Sequence, residues 1–298
     1  MHILITGGTG FIGAALVPAL LAQGNAVTIL SRSPRESSSK QRYATDLAEI
    51  TEPVDAVINL AGASLADKRW SDVYKAEIVA SRVALTQRLV DWMAAQNVPP
   101  KILISGSAIG YYGHSQDAQF TESSPAGAGF SADLCQQWES AALRAEALGI
   151  RVVVLRLGVV FDREGGALEP MMQSFNMGVG SWVGNGKQWL SWVHRWDVVR
   201  AIQYLLANSE TTGAYNLTAP TPVTHKVFAE ILAARKPTLF NMGVPAFAMR
   251  LLVGEMANEL LLAGQRVIPN RLSLEGFEFS FASLDSALID ILSRTQPR

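Results

Sequence analysis

Charge is scarce in this chain. Of its 298 residues only 17% are Asp, Glu, Lys or Arg, with 25 basic against 26 acidic side chains and a formal net charge of −1; ordinary soluble proteins carry about 25%. A near-neutral chain lacks the basic footprint of a nucleic-acid binder, so no nucleic-acid partner is expected. Cysteine is scarcer still. Cys135 stands alone, which excludes an internal disulfide framework and a Cys-rich zinc site and suits a reduced, cytoplasmic setting. The four histidines show no paired spacing for a metal, and none is expected. Long unbroken apolar runs are also missing. The first formal charge is Arg32, but Thr6-Gly7-Gly8-Thr9-Gly10 interrupts the neutral start and only His2 precedes it. Neither a signal peptide nor a membrane span is expected from such a stretch. With 49% hydrophobic residues the chain is too apolar for disorder and long enough for a full-sized core.

What is present is a repeating alternation of strands and helices. Ile3-Leu4-Ile5 reads as a strand buried on both faces. Phe11 to Ala22 has helical spacing, with Pro18 awkward inside it and Gly24 suited to its end. Ala26 to Leu30 reads as a second strand. Between them Gly7, Gly10 and Gly13 follow a G-x-x-G-x-x-G spacing. In a strand–turn–helix–strand unit this spacing predicts dinucleotide binding. The first glycine makes the tight turn, the second admits the pyrophosphate and the third lets helix and strand approach. The helix N-terminus then turns unpaired N–H groups toward the phosphates. NAD sites usually carry an acid after the second strand. Here Ser31-Arg32-Ser33 offers an arginine instead, suited to charge-assisted bonds with a 2′-phosphate. NADP(H) is therefore the expected cofactor.

Further strands are expected at Val54–Leu60, Lys101–Ser105, Arg151–Leu157 and Ala214–Leu217, with helices at Ser71–Ala95, Ser131–Leu148 and Asp197–Asn208. Between Ser33 and Pro53 any strand is short or absent. The glycines from Gly165 to Gly186 mark loops, and after Pro220 and Pro222 the tail is mainly helical. The pattern predicts an α/β fold: a Rossmann-type doubly wound parallel sheet with a smaller, mainly helical C-terminal lobe. Residues 1–160, with 192–217 returning, would form the NADP-binding Rossmann domain. Residues 161–191 and 218–298 would form the substrate-side lobe. The Ser71–Ala95 helix is a candidate homodimer face or an ordinary sheet-covering helix.

Thr6-Gly7-Gly8-Thr9-Gly10-Phe11-Ile12-Gly13 resembles the TGxxGxxG motif of extended short-chain dehydrogenases/reductases, and Asn59-Leu60-Ala61-Gly62 resembles their NxAG element. Ser105-Gly106-Ser107-Ala108, Arg156-Leu157-Gly158 and Trp192 to Val198 follow in the same order. A narrower resemblance, to YfcH-type epimerase-family proteins, rests on Ala66 to Trp70, Ile109 to Gly113, Leu134 to Glu139, Gly264 to Pro269 and Gly276 to Phe279. It covers nearly the whole chain. The resemblance implies an atypical extended reductase that holds its cofactor with Gly7, Thr9, Gly10, Phe11, Ile12, Gly13, Arg32, Asn59, Leu60, Ala61, Gly62 and Ser105.

Typical members of the larger family use a Ser, a Tyr and a Lys four residues after the Tyr. Ser107 matches that serine. Ser131 matches the Tyr position and Cys135 the Lys position, and no tyrosine of the chain has Lys four residues later. Cys135 is either a reactive thiolate or a buried inert thiol. Tyr111 and Tyr112, close after Ser107, are candidates for the proton role or for aromatic packing. His114 and His194, the Trp182–Trp196 cluster, Lys68-Arg69-Trp70 and Arg266 are weaker candidates, each with a structural alternative. Two functions remain in view. One is an oxidoreductase or epimerase-like enzyme on a small carbonyl, alcohol or sugar-derived substrate, with Ser107, Tyr111 and Tyr112 as its catalytic groups. The other is a non-catalytic NADP(H)-binding redox or metabolite sensor.

Overall fold

Ile3, Leu4 and Ile5 are fully buried, because a strand with apolar residues at successive positions fills both faces of a sheet at once. In the computed structural model, which describes residues 1–163 and 165–294, they form β1 (His2–Thr6), an inner strand of a seven-stranded parallel sheet. The other strands are β2 (Ala26–Leu30), β3 (Gln41–Ala44), β4 (Ala56–Asn59), β5 (Ile102–Ala108), β6 (Arg151–Leu157) and β7 (Gly213–Leu217). The spatial order is β7-β6-β5-β4-β1-β2-β3. The order of strands therefore reverses between β1 and β4, and ligands in such sheets bind outside the carboxyl ends at that reversal.

Helices cover both faces. On one, α1 (Gly13–Ala22) contributes Leu16 and Leu20, and Ile3, Ile5, Ile58 and Ile104 meet them from the strands. The opposite face is set by α2 (Asp72–Val79), a π-helical turn (Ala80–Ala84), α3 (Leu85–Ala94) and α4 (Phe130–Leu143). There Leu89, Val90 and Met93 pack on Leu4, Val57, Leu103 and Val152. Burying one such leucine is worth about 1.5–3 kcal/mol. Pro18 lies inside α1 at an exposed position and the helix continues past it.

The doubly wound sheet matches the expected fold class, and β3 is the short strand left open between Ser33 and Pro53. The glycine-rich stretch departs from expectation. It contains α5 (Leu168–Asn176) and a strand, Val179–Val183, that pairs in parallel with Phe240–Val244. That partner lies far along the chain, so no local period announces the strand. Later elements are α6 (Arg195–Ala207), α7 (His225–Arg235), α8 (Ala246–Val253), α9 (Asn270–Leu274) and α10 (Leu284–Ser293). Phe161, Phe175, Trp192, Phe228, Leu232 and Leu288 form a separate core among them. Of the clustered tryptophans, Trp192 is fully buried and stacks on Phe161, while Trp196 packs against the main core. Among the described residues, no helix is long and apolar enough to cross a membrane.

Candidate functional site

Parallel register places polar residues in two rows at the carboxyl end of the sheet. Thr6, Asn59 and Ser105 are neighbours across β1, β4 and β5. Two residues further on, Ser107, Arg156 and Asn216 are neighbours across β5, β6 and β7. Successive strand residues face opposite sides, so Ser105 and Ser107 share a face.

The first row fastens two turns together. Thr6 donates to Asn59 Oδ1 at 2.7 Å and accepts from the Ala61 amide at 3.2 Å. Asn59 in turn donates to Thr86 Oγ1 at 2.8 Å and to Ser105 Oγ at 3.3 Å. Asn59 and Ser105 are thus buried struts. Gly7, at φ 71°, lies against the Leu60–Ala61 backbone, where an added Cβ would come within 2.7 Å. A Cβ at Gly13 would meet the Gly7 carbonyl oxygen at 2.2 Å, and one at Gly10 would meet it at 3.2 Å. The helix can approach the turn this closely only with glycine. Thr9 and Gly10 are exposed, Phe11 and Ile12 half-buried, and no side chain caps α1. The Ala14 and Ala15 amides bond the Gly10 and Ile12 carbonyls, while among the described residues no acceptor meets the Phe11, Ile12 and Gly13 amides, which lie at the positive end of the helix dipole. This shape and polarity fit a pyrophosphate. Arg195 stacks over Phe11 at 4.9 Å and donates to its carbonyl at 3.3 Å, while the ring also meets Gly165 and Gly166. Arg32 is exposed just beyond β2, and Gly62 is exposed beyond β4.

The second row is a buried charged chain. Ser107 donates to Glu139 Oε1 at 2.6 Å. Arg156 grips the same carboxylate with Nε at 2.9 Å and Nη2 at 2.8 Å. Its Nη1 donates to Tyr112 Oη at 2.9 Å, and Tyr112 donates to Asn216 Oδ1 at 2.7 Å. Glu139 and Arg156 are only 7% and 5% exposed. Burial opposes the charge on Arg156, but the hydrogen bonds and charge of Glu139 outweigh it and raise the guanidinium pKa. Burial pushes the Tyr112 hydroxyl up to about 12, with Arg156 pulling the other way. Tyr112 therefore keeps its proton and donates it to Asn216. Tyr111 is half-buried, with its ring 3.4 Å from the Arg156 guanidinium carbon.

The remaining candidates fall into place around these rows. Cys135 on α4 is buried, and desolvation pushes its thiol up to about 11, so it is a protonated thiol near neutrality. His194 is fully buried and accepts from the Trp196 amide at 3.0 Å, while His114 is exposed. Lys68 pairs with Glu77 on the surface, Trp70 is buried, and Arg266 stacks on Trp189 at 4.9 Å. Among the described residues no group of His, Cys, Asp or Glu could hold a metal. Glu139, Arg156 and Asn216 carried no assigned role in the sequence. Glu139 and Arg156 lie inside stretches that resemble the family, and their partnership joins a helix to a strand.

The same arrangement has relatives. Residues 3–218 match the NAD dependent epimerase/dehydratase family. The chain belongs to that family. Residues 244–291 match a domain of unknown function, DUF1731. Epimerase family protein SAR0825 of Staphylococcus aureus (strain MRSA252) is 37% identical over 98% of this chain and 99% of its own length. Epimerase family protein ML0860 of Mycobacterium leprae (strain TN) is 39% identical over 96% of this chain and 94% of its own. The crystal structure of human epimerase family protein SDR39U1 (isoform 2) with NADPH superposes with a TM-score of 0.91 at 34% identity, covering 98% and 99% of the two chains. The epimerase-family resemblance thus extends along nearly the whole length, tail included.

Proposed function

We propose that this family member binds NADP(H) across the two turns and acts as an atypical oxidoreductase or epimerase-like enzyme on a small alcohol, carbonyl or sugar-derived substrate. The observation that carries the reading is the contact of Gly7 with the Leu60–Ala61 backbone at the point where strand order reverses. It joins the glycine turn and the β4 turn into one phosphate-binding surface. The human relative's NADPH and the exposed Arg32 beyond β2 support the phosphorylated cofactor over NAD. When bound, the nicotinamide supplies or accepts a hydride.

This chain's residues would manage the other atoms. Ser107 donates its one hydrogen bond to Glu139, so toward a substrate its oxygen acts as an acceptor for a hydroxyl, which favours an alcohol or sugar-derived ligand. Arg156 and Glu139 fix that serine and hold Tyr112 in place. Tyr111, less buried than Tyr112, is the proton-handling candidate. A second reading is favoured by the same network: Ser107 and Tyr112 are both committed to internal partners, as in a protein that binds NADP(H) without turnover. Purified protein titrated with NADPH and then tested on a panel of alcohols, aldehydes and nucleotide sugars separates the two. Turnover that falls at least about tenfold in Ser107→Ala and Tyr111→Phe supports the enzyme. Saturable NADPH binding with no turnover supports the sensor, and no NADPH binding refutes both.

A further inference from the structure

The chain lacks the lysine that sits beside the cofactor in typical relatives, yet among the described residues a cation without a carboxylate partner, Arg82, lies against the loop after β4. Arg82 belongs to the π-helical turn Ala80–Ala84. Such turns insert an extra residue into a helix and recur at functional sites. Here the turn faces the β4 loop: Ser81 Oγ accepts from the Ala63 amide at 2.9 Å. A Cβ on Gly62 would lie 2.7 Å from the Arg82 guanidinium carbon and 3.0 Å from both Nε and Nη2. Glycine at position 62 is what lets the guanidinium lie along the loop. The guanidinium carbon also lies over the Trp138 ring of α4, 5.4 Å from its centre. Trp138 is itself fixed by a 3.0 Å bond from its ring nitrogen to Thr86 Oγ1.

The bonds Arg82 makes do not use its capacity. Nη1 donates to the Ile78 carbonyl at 3.3 Å and to Ser81 Oγ at 3.5 Å, both within its own helix. Among the described residues, no ion pair and no bond from Nε or Nη2 accompanies them. A guanidinium has five donors in a fixed fork suited to phosphate and paired hydroxyl oxygens. Burial lowers its pKa, which marks a charge held partly out of water. Its charge also acts to lower the pKa of Cys135, against the dominant effect of burial. The group therefore lies between the loop after β4 and α4, and on α4 the Cys135 thiol reaches the Ala108 carbonyl, next in the chain to Ser107.

We propose that Arg82 is the cation beside the β4 turn that serves the cofactor, and that its free fork binds the ribose-phosphate of the nicotinamide half. The assignment rests on the proposed NADP(H) binding. It gives the site a positive charge from the π-helical turn in place of one from α4, and it leaves the adenosine half to the glycine turn and Arg32. Arg82→Lys keeps the charge but loses the fork.

The test is equilibrium binding of three ligands to wild type, Arg82→Gln and Arg82→Lys, with thermal unfolding as the folding control. The ligands are NADPH, 2′-phospho-ADP-ribose and adenosine 2′,5′-bisphosphate. The last lacks the whole nicotinamide-side ribose-phosphate, and 2′-phospho-ADP-ribose lacks only the nicotinamide ring. Loss of a charge-assisted contact predicts that Arg82→Gln weakens NADPH and 2′-phospho-ADP-ribose by about tenfold or more. Adenosine 2′,5′-bisphosphate should change by less than about twofold, because it makes no such contact. Arg82→Lys should bind NADPH more tightly than Arg82→Gln. Equal weakening of all three ligands, weakening of NADPH alone, or no weakening overturns the assignment. Failure of the wild type to bind any of them would instead overturn the NADP(H) reading beneath it.

Discussion

Removing the charge of Glu139, on α4, should be among the most costly single-atom changes at the site. The carboxylate receives three hydrogen bonds, from Ser107 Oγ at 2.6 Å, Arg156 Nε at 2.9 Å and Arg156 Nη2 at 2.8 Å. The two ionic side chains are only 6% and 8% exposed, so water cannot take over the lost bonds. In Glu139→Gln one carboxylate oxygen becomes an NH₂ group, which must face either the Arg156 fork or an Arg156 donor shared with Ser107. Donor then meets donor, and the guanidinium stays buried without its counter-charge. Breaking a buried pair on one side costs about 3–5 kcal/mol. Against a total stability of about 5–15 kcal/mol, that is a large fraction. In urea denaturation at neutral pH, the midpoint should fall by about 1 M or more. The double variant Glu139→Leu/Arg156→Met should recover part of the loss, because no uncompensated charge remains. A Glu139→Gln protein within about 1 kcal/mol of wild type would mean that the pair contributes no more than an ordinary exposed one.

Arg32→Ala should lower the preference for NADPH over NADH by about tenfold or more, measured as the ratio of two dissociation constants; an unchanged ratio removes the 2′-phosphate role. Burial pushes His194 down from 6.5 to about 4, with Asp162 opposing and the Arg294 guanidinium reinforcing the shift. The unfolded chain therefore takes up a proton that the folded one refuses. The stability His194 contributes is present above pH 6.5 and is lost as pH falls from there to about 4. Denaturation midpoints measured across that window should decline less steeply in His194→Gln than in wild type.

The glycine turn was legible in the sequence because all its constraints are local. Gly7 and Gly13 are six positions apart, and their contact is imposed by one tight turn feeding one helix. The seven-stranded sheet was legible for a similar reason, since runs such as Ile3-Leu4-Ile5 and Arg151 to Leu157 announce strands without reference to partners. The charged row was not legible. Ser107, Glu139, Arg156 and Asn216 come from three strands and a helix, and only the parallel register brings them into line. Arg82 was hidden for another reason. The expected Ser71–Ala95 helix is present, but the π-helical turn inside it alters which residues face the β4 loop. The strand Val179–Val183 went unread because its partner is Phe240–Val244 and its glycines suggest a turn.

If the glycine turn and the β4 turn hold a dinucleotide, titration of NADPH into wild type and Gly13→Ala will show it. A Cβ at Gly13 would sit 2.2 Å from the Gly7 carbonyl oxygen and 2.6 Å from Gly8 Cα, so the helix must move away from the turn to admit it. Saturable NADPH binding by wild type, weakened about tenfold or more in a Gly13→Ala protein that still unfolds cooperatively, is the predicted result. Absence of NADPH binding by wild type, or equal affinity in the two proteins, would contradict it.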